Sequence, residues 1–273
     1  MVKNMSVRKT LSKLSKRLPG GYLIMMFYSF FKITDEVPEI SRELWKFMKN
    51  NLKFMKKHCD DYKIVSLGCD CMARSYTTTY MLKPSKAAGE KGMPFDLACS
   101  PPEAVADNLE NDFADYFADG WSYDFKWKRW NNTAESGMFY PHDKDCGPDD
   151  LEKIQNRLRN RIANFREVLD YPNLIMFVLH KKADGRKEDI ERICRKITEL
   201  RNGKPSKFLV MACDLDENCT EIDGAELRFV PYPSAEFHWY DPEMRYTVEG
   251  IRHEMEFVRI CREVLCSELG ING

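Results

Sequence analysis

Six apolar residues in a row, Leu174-Ile175-Met176-Phe177-Val178-Leu179, limit the fold of this chain more than any other stretch. A strand with one wet face alternates apolar and polar side chains, whereas an unbroken apolar run must be covered on both faces. Pro172 stops the helix before it. Residues 63–67, 208–212 and 226–231 read as further short strands, and helix-length amphipathic stretches separate them. One of these, 151–169, carries the stripe Leu151, Ile154, Leu158, Ile162, Phe165 and Leu169, opened by Asp149 and Asp150. Residues 187–200 form the next helix and 247–269 a closing one. Strands alternating with helices predict an α/β fold: a mostly parallel sheet flanked by helices, in the three-layer manner of Rossmann and flavodoxin-like proteins. Ligands of such sheets sit at the carboxyl ends of the strands.

The first strand runs directly into a chemically suggestive turn, Lys63-Ile64-Val65-Ser66-Leu67-Gly68-Cys69-Asp70-Cys71. Gly68 permits a tight turn that a side chain would block. Asp70 suits an N-cap, which puts Cys71 at the first helical position. A helix N-terminus carries unpaired N–H groups and partial positive charge, so it favours thiolate over thiol and could hold an oxyanion beside the sulfur. Gly68 and Cys69 would then form the turn of the oxyanion site. Two considerations oppose this. A buried structural cysteine also fits a strand end, and the Asp70 carboxylate would raise a neighbouring thiol pKa.

Domain organisation follows from a change of character near residue 60. Residues 1–60 read as a helical extension, basic and then apolar, and 61–273 as a single α/β domain. Lys3, Arg8, Lys9, Lys13, Lys16 and Arg17 stand among residues 2–17 with no acid. Residues 22–31 are apolar but too short to span a bilayer, which takes about 20 residues. Packing on the main domain is one role for them; the other is a peripheral membrane contact through residues 1–31. Residues 35–57 continue as helix, with Leu44, Trp45, Met48, Leu52 and Met55 at helical spacing. A hydrophobic content of 43% excludes disorder, and a net charge of −1 argues against a nucleic-acid partner. The ten cysteines are scattered and no signal-peptide pattern precedes them, so reduced thiols in the cytoplasm are expected. No metal or cofactor is expected: there is no C-x-x-C, and Cys69-x-Cys71 lacks a second pair of ligands.

Between the first turn and the long helix the pattern is less regular. A helix is expected over 71–81, a loop over 83–92 and an extended piece at 93–96. Ser100, Pro101 and Glu103 open a helix to about 112 as a capping box. Residues 113–150 are rich in aromatic side chains and irregular; they are expected to fold against the core, with the lining of a pocket as the alternative. Arg157 and Arg161 lie one turn apart, off the apolar stripe, and read as a solvated basic face.

Several of these stretches together carry a resemblance. Ser66-Leu67-Gly68-x-x-Cys71, Pro94-Phe95-Asp96, His142-Asp143 and an arginine-rich helix ending in Phe165 follow in order. This resembles an uncharacterised bacterial and viral family described as papain-like cysteine peptidases, over about residues 62–180. The family pattern has Trp after P-F-D, where Leu97 stands, and often Asn before the cysteine, where Asp70 stands. The resemblance implies Cys71 as nucleophile and His142 as base, with Asp96 or Asp143 to orient the imidazole. Adjacent side chains on an extended segment point apart, which favours Asp96 over Asp143. His180, after the most buried strand, and His238, late in the chain, are rival bases. A papain-like α+β fold is the alternative architecture. The strand–turn–cysteine–helix unit also resembles the nucleophile turn of flavodoxin-like esterases and a Gly-Asn-Cys-Gln turn in capsule polysaccharide synthesis. The expected function is a thiol hydrolase of unknown substrate. The alternatives are an acyl- or glycan-modifying transferase of surface polysaccharide synthesis and a non-catalytic binding protein.

Overall fold

The computed structural model describes residues 22–117, 119–132, 138–182, 185–214 and 219–271. In chain order the elements begin with α1 (Tyr22–Thr34), α2 (Ser41–His58), β1 (Tyr62–Ser66), α3 (Met72–Thr79) and α4 (Pro102–Glu110). There follow β2 (Trp121–Asp124), β3 (Arg129–Asn132), β4 (Met138–Tyr140), α5 (Leu151–Leu169) and β5 (Leu174–Lys181). The chain ends with α6 (Lys187–Arg201), β6 (Ser206–Ala212), β7 (Glu226–Phe229), α7 (Pro242–Arg245) and α8 (Val248–Glu268). These fall into two compact units, one from Tyr62–Arg74 and Lys91–Phe229, the other from Met1–Asp61, Ser75–Glu90 and Val230–Gly273.

The first unit is α/β. Its four-stranded parallel sheet has the order β1-β5-β6-β7, so each strand adds beside the one before it in the chain. Every residue of β5 is buried, as its unbroken apolar run requires. Val65, Ile175, Phe177, Leu179, Phe208 and Val210 alternate along three strands and share one core with Ile154, Leu158, Ile162 and Phe165 of α5 and Ile190, Ile193 and Ile197 of α6. Each such side chain contributes about 1.5–3 kcal/mol when fully buried. The register sets Ser66 beside Val178, which brings the turn after β1 next to the carboxyl end of β5.

A second, antiparallel sheet of order β2-β3-β4 lies in the aromatic stretch that the sequence reads as irregular. Its strands have only three or four residues, too few for alternation to be visible. Trp130, Met138 and Tyr140 bury their side chains in the core, and Trp121 stacks on Tyr140 at 5.4 Å. Cys99 exchanges backbone hydrogen bonds with Phe139 at 2.9 and 3.1 Å, tying the segment before α4 to β4.

The second unit is helical. Leu44, Met48, Leu52 and Met55 form the buried stripe of α2, and Trp45 packs against Phe27 and Phe30 of α1 at 5.3 and 5.2 Å. The sequence reading assigns 61–273 to one domain, whereas 75–90 and 230–273 group with the N-terminal helices. Specific packing accounts for this. Tyr76 meets Phe257 of α8 edge-on at 5.4 Å, and Asn51 Nδ2 donates to the Tyr80 carbonyl at 2.9 Å. Among the described residues no helix is long and apolar enough to cross a membrane.

Candidate functional site

The site starts at the end of β1. The Leu67 N–H donates to the Val178 carbonyl at 3.0 Å, so the sheet persists one residue beyond the strand. The chain then reverses through Gly68 and Cys69, with φ of 95° and 60°. A Cβ on Gly68 would lie 3.1 Å from Ser100 Cβ and 3.2 Å from its carbonyl oxygen, so both conformation and space require glycine. Cys69 holds a left-handed conformation that costs about 1–3 kcal/mol in a non-glycine residue. Its N–H donates to the Ser100 carbonyl at 2.9 Å, which fixes the turn.

Helix α3 begins at Met72, one residue later than the sequence suggests, so Cys71 stands at the cap and not inside the first turn. Asp70 Oδ1 accepts the Met72 N–H at 2.9 Å, so one donor of the helix start is committed to that carboxylate and is not left for an oxyanion. The other carboxylate oxygen lies 3.1 Å from His180 Nδ1 and 3.7 Å from Lys182 Nζ. Burial pushes the Asp70 pKa up. The charge and hydrogen bond of His180, with Lys182 and the Met72 N–H, outweigh that and hold it below the usual carboxylate value. Asp70 is therefore an ionised clamp between the cysteine turn and the end of β5.

His142 arrives from the loop after β4, and its Nε2 lies 3.1 Å from Cys71 Sγ. Cys71 is 8% exposed, while His142 is open to solvent. Desolvation on the sulfur side lowers the His142 pKa; the charge of Asp143 opposes this, and Lys144, Arg161 and Arg74 lower it further. The imidazole is thus held below its ordinary value of 6.5 and is neutral at neutral pH.

The two aspartates have other partners than the imidazole. Asp143 is buried and accepts from Arg161 at 2.8 and 3.1 Å and from Arg157 at 3.1 Å. Arg157 and Arg161 are therefore not a solvated face: they pin the loop that carries His142 to α5. Asp96 pairs with Arg74 and accepts the Met93 N–H at 2.8 Å, so it caps its own turn. Among the described residues no carboxylate bonds His142 Nδ1, which makes Cys71 and His142 a dyad.

The rival histidines have other neighbours. His180 is fully buried against Asp70. His238 lies in the helical unit, exposed and stacked on Tyr240 at 5.5 Å. The thiol of Cys99 is pushed up to about 11 by burial and by the charge of Asp70, so it remains protonated. Sequence reasoning missed the Asp70–His180 bond and the arginine clamp on Asp143. The signals were an acid in the cysteine turn, a histidine at the carboxyl end of the most buried strand, and two arginines spaced i, i+4 on one helix.

Comparison of the chain with family models, with curated proteins and with solved structures found no match.

Proposed function

We propose that this chain is a cysteine-nucleophile hydrolase in which Cys71 attacks an acyl carbon and His142 carries the proton. The 3.1 Å separation of Cys71 Sγ and His142 Nε2 carries the reading. A thiol is mostly protonated near neutral pH, so a neutral imidazole within hydrogen-bond reach is what attack requires. Nε2 takes the S–H proton as the sulfur–carbon bond forms. The negative charge on the carbonyl oxygen develops beside the start of α3, where the helix dipole favours it and the ionised Asp70, which holds the Met72 N–H, opposes it. Collapse breaks the bond to the leaving group, which departs with the proton from Nε2 and leaves a thioester. Water, losing its proton to His142, then cleaves the thioester and restores the thiol. A transferase differs only in placing an acceptor hydroxyl or amine where the water attacks.

The motif order around Cys71, Asp96 and His142 supports kinship with the papain-like cysteine peptidase family. The parallel order β1-β5-β6-β7 supports a Rossmann or flavodoxin-like frame over a papain-like one. A cytoplasmic protein with peripheral membrane contact through residues 1–31 completes the proposal. Phe27 and Phe31, one turn apart on α1 and 37% and 45% exposed, support that contact; residues 1–21 lie outside the described part.

p-Nitrophenyl acetate tests the dyad without knowledge of the substrate. The expected result is a burst of nitrophenolate stoichiometric with protein, with the acetyl group on the Cys71 peptide by mass spectrometry. Cys71→Ala abolishes the burst. Acetylation confined to the exposed Cys59 would overturn the reading.

A further inference from the structure

The tip of a β-hairpin is normally built from small polar residues, because its side chains face water. The β2–β3 connection is built differently: Asp124-Phe125-Lys126-Trp127-Lys128-Arg129. Phe125 is 73% and Trp127 61% exposed, and Lys126 and Lys128 are exposed beside them. This is also an ordered tip. Asp124 Oδ1 accepts the N–H groups of Lys126 and Trp127 at 3.0 and 3.1 Å, and Asp124 pairs with Arg129 across the hairpin. Tyr123 meets Phe125 edge-on at 5.2 Å from below the tip. Lys126 Nζ stands 5.3 Å from the centre of the Trp127 ring, and among the described residues neither Lys126 nor Lys128 pairs with an acid.

We propose that this tip is a membrane-surface anchor for an anionic phospholipid bilayer. Phe125 and Trp127 enter the boundary between headgroups and acyl chains, and Lys126 and Lys128 meet lipid phosphates. Three features select this occupant. Tryptophan concentrates at that boundary because its ring is apolar with one polar edge. Two lysines with no acid partner call for an anionic surface, and basic residues next to such a surface bind it by its negative potential. A projecting tip with alternating aromatic and cationic side chains matches a deformable interface and needs no complementary pocket. The Asp124 cap lowers the ordering cost of docking. The proposal does not depend on the chemistry at Cys71 and uses none of residues 1–31.

The test uses the full chain with vesicles of phosphatidylcholine alone or mixed with phosphatidylglycerol, a fraction of the lipid being brominated to quench tryptophan. The expected result is pelleting and quenching with the anionic vesicles, weakening with salt. Trp127→Phe should still pellet but lose most of the quenching, because Trp127 is the exposed tryptophan, Trp130 and Trp239 being buried and Trp45 and Trp121 half-buried. Lys126→Glu/Lys128→Glu should bind at least about tenfold more weakly. Phe125→Ser/Trp127→Ser should bind at least about tenfold more weakly, any remainder resting on residues 1–31, with little change in Tm since both side chains are exposed; if it unfolds, the lysine variant carries the test. Equal quenching in wild type and Trp127→Phe would overturn the proposal. So would unquenched wild type that still pellets, which assigns binding to another surface. Trp127-dependent self-association without lipid would also overturn it.

Discussion

His142 and His180 both reach the turn that carries Cys71, but from regions of opposite character. His142 sits on an exposed loop leaving a small antiparallel sheet, with Nε2 on the sulfur and its ring open to water. His180 ends the most buried strand of the parallel sheet, fully enclosed and bonded to Asp70. The difference separates two tasks. On the proposed mechanism, the imidazole that gains and loses a proton in each cycle stands where water can reach it and where its charged form is disfavoured. An imidazole that holds geometry is sealed against a buried carboxylate. Catalysis should therefore depend on the first and stability on the second.

The largest effect expected from this contrast is on rate. His142→Ala should slow acetyl transfer from p-nitrophenyl acetate by roughly 10²–10⁴-fold, the usual worth of a general base, with Tm close to wild type. An equal loss of rate in His180→Ala with unchanged Tm would reverse the two assignments. The next effect is on stability. Asp70→Ala leaves the buried His180 Nδ1 without this hydrogen-bond partner and should cost about 1–3 kcal/mol in denaturant unfolding. Because the folded Asp70 pKa lies below its unfolded value near 3.8, this contribution is fully present at neutral pH. It is lost as pH falls through the lower folded value, so the gap between wild type and Asp70→Ala should close in acid. A gap that widened in acid would contradict an ionised Asp70.

A smaller effect concerns pH and rate. The His142 pKa lies below 6.5, so the acid limb of the rate profile should have its midpoint below that value, with about a tenfold loss per pH unit beneath it. A midpoint above 6.5 would mean that the sulfur holds the imidazole in its charged form. The smallest effect isolates the clamp. The Lys182 side chain is 44% exposed and its Nζ lies 3.7 Å from Asp70, so Lys182→Met should change stability by less than about 1 kcal/mol. A larger loss would shift the anchoring of Asp70 from His180 to the lysine.

The parallel sheet was legible because an unbroken run such as Leu174 to Leu179 has few ways to be buried. Strands β2 to β4 were not, since three or four residues leave no room for a period to appear. Cys71 stood out by its turn. His142 was reached only through the resemblance, because nothing local ties it to a sulfur 71 residues away. The Asp70–His180 bond depends on the register of β1 against β5, and register is a tertiary property. Arg157 and Arg161 misled for a similar reason: an i, i+4 basic pair looks solvated until a buried aspartate is brought to it. Asp70 was read as a helix cap one residue out of place, within the usual uncertainty of helix ends.

The dyad itself is tested most directly by the rate of iodoacetamide alkylation at Cys71, resolved from the other cysteines by peptide mass spectrometry near pH 6.5. Cys59 is exposed and serves as the internal reference. Cys71, though nearly buried, should alkylate faster than Cys59 in the native protein and fall to or below the Cys59 rate in His142→Ala. A Cys71 that reacts more slowly than Cys59 in the wild-type protein, and is indifferent to loss of His142, would contradict the account.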